Sequence, residues 1–226
     1  NETVKTLTKN QTVAATNSLN QSINRIAGRM NYIRSTNNNS SNQNIKLAMN
    51  FDNPMLDEML NSLSAKLLKK QKETKKWGVW SEGNISFGRI GQQDGNLGQD
   101  IHSDGITFGI DKRINEDKTI GFAVNKSWQD TEVGSNEANM DAKAISVMNY
   151  TSFKIEDKRY FEMVAGIGEM NIDLSRDVTG GKNTGKRKGN QIFGSFTYLL
   201  EPDVEIVGRN LNYYTRLDLG FTQLKA

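Results

Sequence analysis

Two groupings of residues in this chain have the types and spacing that a site would use, and a third pair sits at helical spacing. GGKNTGKR (residues 180–187) carries the G-x-x-x-x-G-K spacing of a loop that cradles nucleotide phosphates. The position that should supply a magnesium-binding hydroxyl is Arg187, and the segment lies between two strand-like runs instead of opening a helix. It therefore reads as a polar surface loop. His102 with Asp100 and Asp104 offers one imidazole and two carboxylates, one ligand short of a metal site, and reads as the solvated start of a strand. Arg25 and Arg29 stand four apart on one helix face, where they can meet acids on a packed neighbour or water. The sequence leaves that pair open. With no cysteine, thiolate chemistry and disulfides are excluded, and with one histidine besides no transition-metal enzyme, cofactor or metal is expected.

The elements that must position these residues change character at Trp77. Residues 1–76 hold two aromatics, Tyr32 and Phe51, amid many Asn, Gln, Ser and Lys. Leu19, Ile23, Ile26, Met30 and Ile33 recur at spacings of 4, 3, 4 and 3, which places them on one face of a helix over 19–34. The other faces of that helix are rich in amides and hydroxyls. A second helix over 54–76 is predicted from Asn53 as N-cap, Pro54 at the first helical position and the stripe Leu56, Leu60, Leu63 and Leu67. Between them STNNNSSNQN (35–44) has the composition of a polar loop.

From Trp77 the period becomes two, giving about seven strands at 77–90, 102–113, 118–129, 141–154, 159–173, 190–200 and 212–225. Ile106, Phe108 and Ile110 alternate with Thr107, Gly109 and Asp111; Phe122 and Val124 alternate with Gly121, Ala123 and Asn125. Phe161 and Met163 flank Glu162, and Leu217 and Leu219 alternate with Arg216 and Asp218. These runs are longer than the usual strand of about 5–6 residues and reach the ~9–11 needed to cross a bilayer at a tilt. Their connections also alternate. GQQDGNLGQDI, QDTEVGSNEANM and SRDVTGGKNTGKRKG are long and polar, NEDK and EDKR are short, and EPDVEIVGRNL is longer than that alternation wants.

No stretch approaches the ~20 apolar residues of a spanning helix, and NETVKTLTKN has neither the basic nor the apolar region of a secretory leader. A net charge of +3 on 29 basic and 26 acidic residues gives no electrostatic argument for nucleic acid. Lipid cannot satisfy backbone N–H and C=O groups, so strands enter it as a closed sheet with an apolar exterior and a polar interior. That argument makes Glu82, Thr107, Asp111, Asn125, Glu162, Arg216 and Asp218 lumen-facing, and Ile106, Phe108, Ile110, Phe122, Val124, Phe161, Met163, Leu217 and Leu219 lipid-facing. Gly83, Gly109, Gly121, Gly166 and Gly168 fall mainly inside, and Trp77, Tyr150, Tyr160 and Tyr198 are candidates for an aromatic girdle. A soluble antiparallel sandwich alternates in the same way and is the competing fold.

WGVWSEGNISFGRI, SDGITFGIDKRINEDKTIGFAVNKSWQDTEV, ISVMNYTSF and YFEMVAGIGEMNIDLSR, in that order, resemble the autotransporter β-domain of type V secretion over about 150 residues. LNQSINRIAGRMNYIR resembles the helical segment that often precedes it. The resemblance implies an antiparallel up-and-down transmembrane β-barrel with N-terminal helices, all-β apart from them, in the bacterial outer membrane. It implies twelve strands, of which about seven are present, so an incomplete, truncated barrel is expected. LGFTQLKA also lacks the terminal aromatic common in outer-membrane barrels. Residues 1–76 would be the helical linker or pore-helix region and 77–226 the partial barrel domain.

The implied task is to anchor and export an upstream passenger in the same polypeptide, without enzymatic chemistry. Its implied partners are that passenger, outer-membrane lipid and the barrel assembly machinery. Either helix could occupy the lumen. Some relatives cut their own linker at paired asparagines beside a lumen carboxylate, but Asn37, Asn38 and Asn39 read more simply as loop composition. Lys182, Lys186, Arg187 and Lys188 would suit anionic lipopolysaccharide if their loop is extracellular. The rival functions are a porin-like channel and a soluble β-rich adhesion or carbohydrate-binding module.

Overall fold

Strict alternation of large apolar with small or polar residues gives each strand two chemically different faces, and the sheet sorts them. The computed structural model describes residues 2–35, 77–92, 97–134, 138–201, 205–206, 209–210 and 213–225. The predicted second helix at 54–76, the loop at 36–44 and Asn37–Asn39 lie outside these residues.

A helix, α1 (Glu2–Ser35), is followed by β1 (Trp77–Ile90), β2 (Gln99–Arg113), β3 (Lys118–Val133), β4 (Ala138–Glu156), β5 (Arg159–Val178) and β6 (Gly181–Leu200). A small hairpin of β7 (Glu205–Ile206) and β8 (Arg209–Asn210) precedes β9 (Tyr213–Lys225). The long strands form one antiparallel seven-stranded sheet in the order β1-β2-β3-β4-β5-β6-β9, so neighbours in sequence are neighbours in space. β1 and β9 are the edges of this open sheet. The over-long connection EPDVEIVGRNL is accounted for by the β7–β8 hairpin.

The long polar connections are shorter than the sequence suggests. β5 and β6 pair continuously out to Val178 and Gly181, and only residues 179–180 turn. Gly180 has φ 97°, a left-handed conformation that glycine adopts without steric cost. β3 and β4 likewise pair out to Val133 and Ala138. Hairpin arms with polar residues on both faces have no period to read, which is why the segment looks like a loop.

α1 is longer at its N-terminal end than the predicted 19–34 and lies against one face of the sheet. Near its start Leu7, Ala14 and Ala15 pack on Val133, Met140, Ala142, Met170 and Ile172. Further along, Leu19, Ile23, Ile26 and Met30 pack on Trp80, Ala123, Met148, Tyr150, Val164 and Phe193. The helix therefore runs from the long-hairpin end of the sheet to the short-turn end.

Large rings on the covered face sit over glycines of the adjoining strand. A Cβ on Gly109 would fall 2.2 Å from Trp80, one on Gly121 2.1 Å from Tyr150, and one on Gly166 2.4 Å from Phe193. Gly83, by contrast, pairs with Ile106 on the opposite face. The expected girdle is half corrected. Trp77 and Tyr198 are exposed on the uncovered face, but Tyr150 is buried beneath the helix and Tyr160 lies under Arg34. A buried phenol needs a partner for its hydroxyl, and the covered face supplies one for Tyr150.

Candidate functional site

Among the described residues the interface between α1 and the sheet is the most elaborated polar region. Hydroxyls, amides and carboxylates on the covered face would be costly to bury alone, and α1 supplies their partners. Toward the long hairpins the contacts are neutral or singly charged. Arg187 donates to Gln11 at 3.1 Å, Gln191 to the Ala15 carbonyl at 3.4 Å, and Asn17 to Gln129 at 3.2 Å. Midway, Ser22 Oγ lies 3.2 Å from Ser146 Oγ and accepts from Asn125 Nδ2 at 2.9 Å.

Below that level three arginines of α1 meet the sheet in succession. Arg25 donates to Thr107 Oγ1 at 3.2 Å and the Glu82 carbonyl at 3.4 Å, and also bonds Asn84. Thr107 in turn donates to Asn125 Oδ1 at 3.0 Å, which joins the arginine to the serine level. Arg29 makes a two-pronged pair with Asp111, Nε to Oδ2 at 2.7 Å and Nη2 to Oδ1 at 3.0 Å. Their side chains are only 6% and 5% exposed, so each depends on the other for compensation. Tyr150 donates to the same carboxylate at 2.8 Å, and Trp80 Nε1 donates to the Tyr150 hydroxyl at 2.7 Å. Arg34 pairs with Glu162 and lies 3.5 Å from Glu201. On β9, Arg216 donates to Asn24 at 2.8 Å and pairs with Asp218 at 2.7 Å.

All seven residues read as interior, Glu82, Thr107, Asp111, Asn125, Glu162, Arg216 and Asp218, thus lie on the covered face. Glu82 remains exposed because β1 is an edge strand, although its carboxylate reaches over Gly28 of the helix. The nine read as exterior lie on the uncovered face, where Ile106, Phe161 and Met163 are half-buried by their neighbours and the rest are exposed. One register line across that face runs Phe108, Val124, Val147, Ile167, Ile192 and Phe221, all apolar and 41% to 63% exposed. A continuous apolar face of this kind marks a surface that meets something other than water.

The other groupings dissolve. His102 Nε2 lies 3.1 Å from Asp104 and its ring stacks on Phe87 at 4.5 Å, while Asp100 pairs with Arg89 at 2.6 Å. Among the described residues no group of three His, Cys, Asp or Glu could hold a metal ion. Residues 180–187 form a turn and the opening of β6, with no helix N-terminus to receive a phosphate. The sequence reading missed Ser22, Arg34 and the Trp80–Tyr150 link. The signal for the last was available: Gly109 and Gly121 leave room on the covered face for large neighbours.

Among curated proteins no sequence match is found. Among solved structures the chain is similar to the translocator domain of autotransporter NalP from Neisseria meningitidis, at 14% identity, covering 74% of this chain and 69% of that one with a TM-score of 0.46. The family model of the Autotransporter beta-domain matches residues 79–200, from β1 to the end of β6. The chain belongs to the autotransporter β-domain family, outer-membrane translocators, not enzymes, whose role is to export a passenger carried in the same polypeptide.

Proposed function

We propose that α1 is the lumen helix of this translocator, that the covered face of the sheet is its pore wall, and that the uncovered face contacts outer-membrane lipid. Residues 1–76 then form the linker and pore-helix region, and 77–226 the barrel portion. The observation that carries the reading is the unbroken series of polar contacts from Gln11 to Arg34, made by every long strand of the sheet. The apolar seam from Leu7 to Met30 would hold a helix on any core, but buried charges and hydroxyls of the wall need the polar partners that α1 supplies beside that seam. Thr6, Asn10 and Gln21 each hold a buried polar atom without a protein partner, the kind of group that interior water satisfies.

The direction of α1 assigns the ends. A passenger joined ahead of the helix lies at the long-hairpin end, so that end is extracellular and the short turns are periplasmic, as in outer-membrane barrels generally. Glu82, Thr107, Asp111, Asn125, Glu162, Arg216 and Asp218 line the lumen, and the apolar register lines face hydrocarbon. The protein performs no bond chemistry; its further partner is the machinery that assembles barrels.

The chain has no native cysteine, so a Ser22→Cys/Ser146→Cys pair tests the placement directly. Oxidised in outer membranes, it is expected to give a fast-migrating cross-linked form, because the parent hydroxyls are 3.2 Å apart. A pair that remains reduced in a folded barrel would remove α1 from the lumen.

A further inference from the structure

Toward the long hairpins the uncovered face turns polar: two residues above the apolar line it reads Ile106, Lys126, Ile145, Glu169, Asn190 and Gln223, and at four residues no aliphatic side chain remains. There the register line reads Asp104, Trp128, Lys143, Asn171, Lys188 and Lys225. At about 3.3 Å per residue the step is about 13 Å along the strand. With a tilt near 40° this is about 10 Å of depth, close to the edge of a ~25 Å apolar band. These lysines thus stand where lipid headgroups begin.

The charge along this line is sorted by strand. The β2–β4 side carries Asp100, Asp104, Asp130, Glu132 and Asp141 at and above it, whereas β6 and β9 carry Lys182, Lys186, Lys188 and Lys225. Lys186 is matched by Asp173 at 3.4 Å across the strand pair, and Lys182 stands opposite Asp177. Lys188 and Lys225 have no such partner. They are direct cross-strand neighbours, both exposed, and neither makes an ion pair among the described residues. Like charges placed directly opposite destabilise a sheet. An anion held between the two ammonium groups would reverse the sign of that interaction. Asn190 stands next to Lys188 along the uncovered face, whereas Gly189 between them is buried on the covered face.

We propose that Lys188 and Lys225 form a docking site for a phosphate group on the sugar headgroup of an outer-leaflet glycolipid. Lys186 and Lys182 extend the attraction upward along the hairpin. The apolar residues Ile167, Ile192 and Phe221, one polar line (Glu169, Asn190, Gln223) further down, receive the acyl chains of the same molecule. Attachment through both chains and phosphate distinguishes this occupant from a free anion. The site rests on the extracellular assignment of the long-hairpin end given above.

The test uses the whole chain reconstituted in phosphatidylcholine vesicles doped with bisphosphorylated lipid A, dephosphorylated lipid A, or no glycolipid. Resistance of the folded barrel to heating in detergent is the readout. Bisphosphorylated lipid should raise it and the dephosphorylated lipid should not. K188Q/K225Q should weaken the lipid dependence about tenfold, while K112Q, on the same face at the short-turn end, should leave it unchanged. Equal protection of wild type and K188Q/K225Q would overturn the proposal, as would equal protection by millimolar inorganic phosphate without glycolipid. A chain that inserts in vesicles but ignores lipid phosphate overturns the site alone. A chain that never inserts overturns the site and the translocator reading together.

Discussion

The two faces of the sheet are built from the same strands and obey opposite rules. Val124 and Asn125 are consecutive residues of β3, yet one is an exposed apolar group on a continuous apolar line and the other a fully buried amide bonded to Ser22 and Thr107. Inside, shape and hydrogen bonding are specified atom by atom: rings sit over glycines, and Arg29 is gripped by one carboxylate. On the uncovered face only the class of residue is specified, which is all that the proposed contact with fluid lipid requires. The interior should therefore reject small changes that the exterior tolerates, and the exterior should reject charge above all.

The sharpest break in that contrast is expected from Asp111→Ala, which strands the buried Arg29 guanidinium and the Tyr150 hydroxyl. A loss of about 3–5 kcal/mol is expected, read as a lowered urea midpoint of the folded barrel. An unchanged midpoint would mean that Arg29 reaches water. Next comes Val147→Arg on the apolar line, which, if that face meets lipid as proposed, costs about 2–4 kcal/mol in bilayers because a cation is placed in hydrocarbon. The same change in a helix-free aqueous fragment would cost little, so lipid dependence of the effect is the measurement that matters. Gly121→Ala adds one methyl group inside and should destabilise by about 1–3 kcal/mol, since its Cβ would lie 2.1 Å from the Tyr150 ring. Gly83→Ala, on the uncovered face, is the matched control and should be nearly silent.

The smallest effect belongs to neither face. Asp157 lies in the turn between β4 and β5, with Lys154 Nζ 3.0 Å from its carboxylate. The hydrogen bond from Lys154 and that lysine's charge hold its pKa below the ordinary aspartate value. A depressed carboxyl pKa contributes stability above the unfolded value and loses it as pH falls through the folded one. In a carboxyl-detected titration the midpoint should return to the ordinary value in Lys154→Ala. A midpoint that stays low would point to another cation.

The strands were legible because alternation is strongest where one face is apolar and the other is not. It fades in the β5–β6 arms, where Lys182 to Lys188 put polar groups on both faces. The N-terminal half of α1 was illegible for a related reason. Only Leu7 and two alanines meet the apolar side chains there, and Thr6, Asn10, Gln11 and Ser18 are buried beside them, so burial leaves no strong hydrophobic stripe in the sequence. Which strand side chains share the covered face could be read from parity alone. Which arginine met which acid could not, because the pairing depends on the depth of the helix, a quantity no periodicity encodes. Tyr150 and Tyr160 were misassigned as girdle residues because a phenol serves equally well at a wet interface and in a hydrogen-bonded interior.

The ring-over-glycine contacts bear on how strand alignment is checked during assembly. Slippage by two positions preserves inside and outside, so hydrophobicity cannot detect it. Yet it would carry Tyr150 from Gly121 onto Thr119 or Ala123, and Trp80 from Gly109 onto Thr107 or Asp111. A slipped β1–β2 or β3–β4 hairpin would thus set its ring on a side chain instead of a glycine, whereas Phe193 could slip from Gly166 to Gly168. The check is strict in the first two hairpins and one-sided in the third.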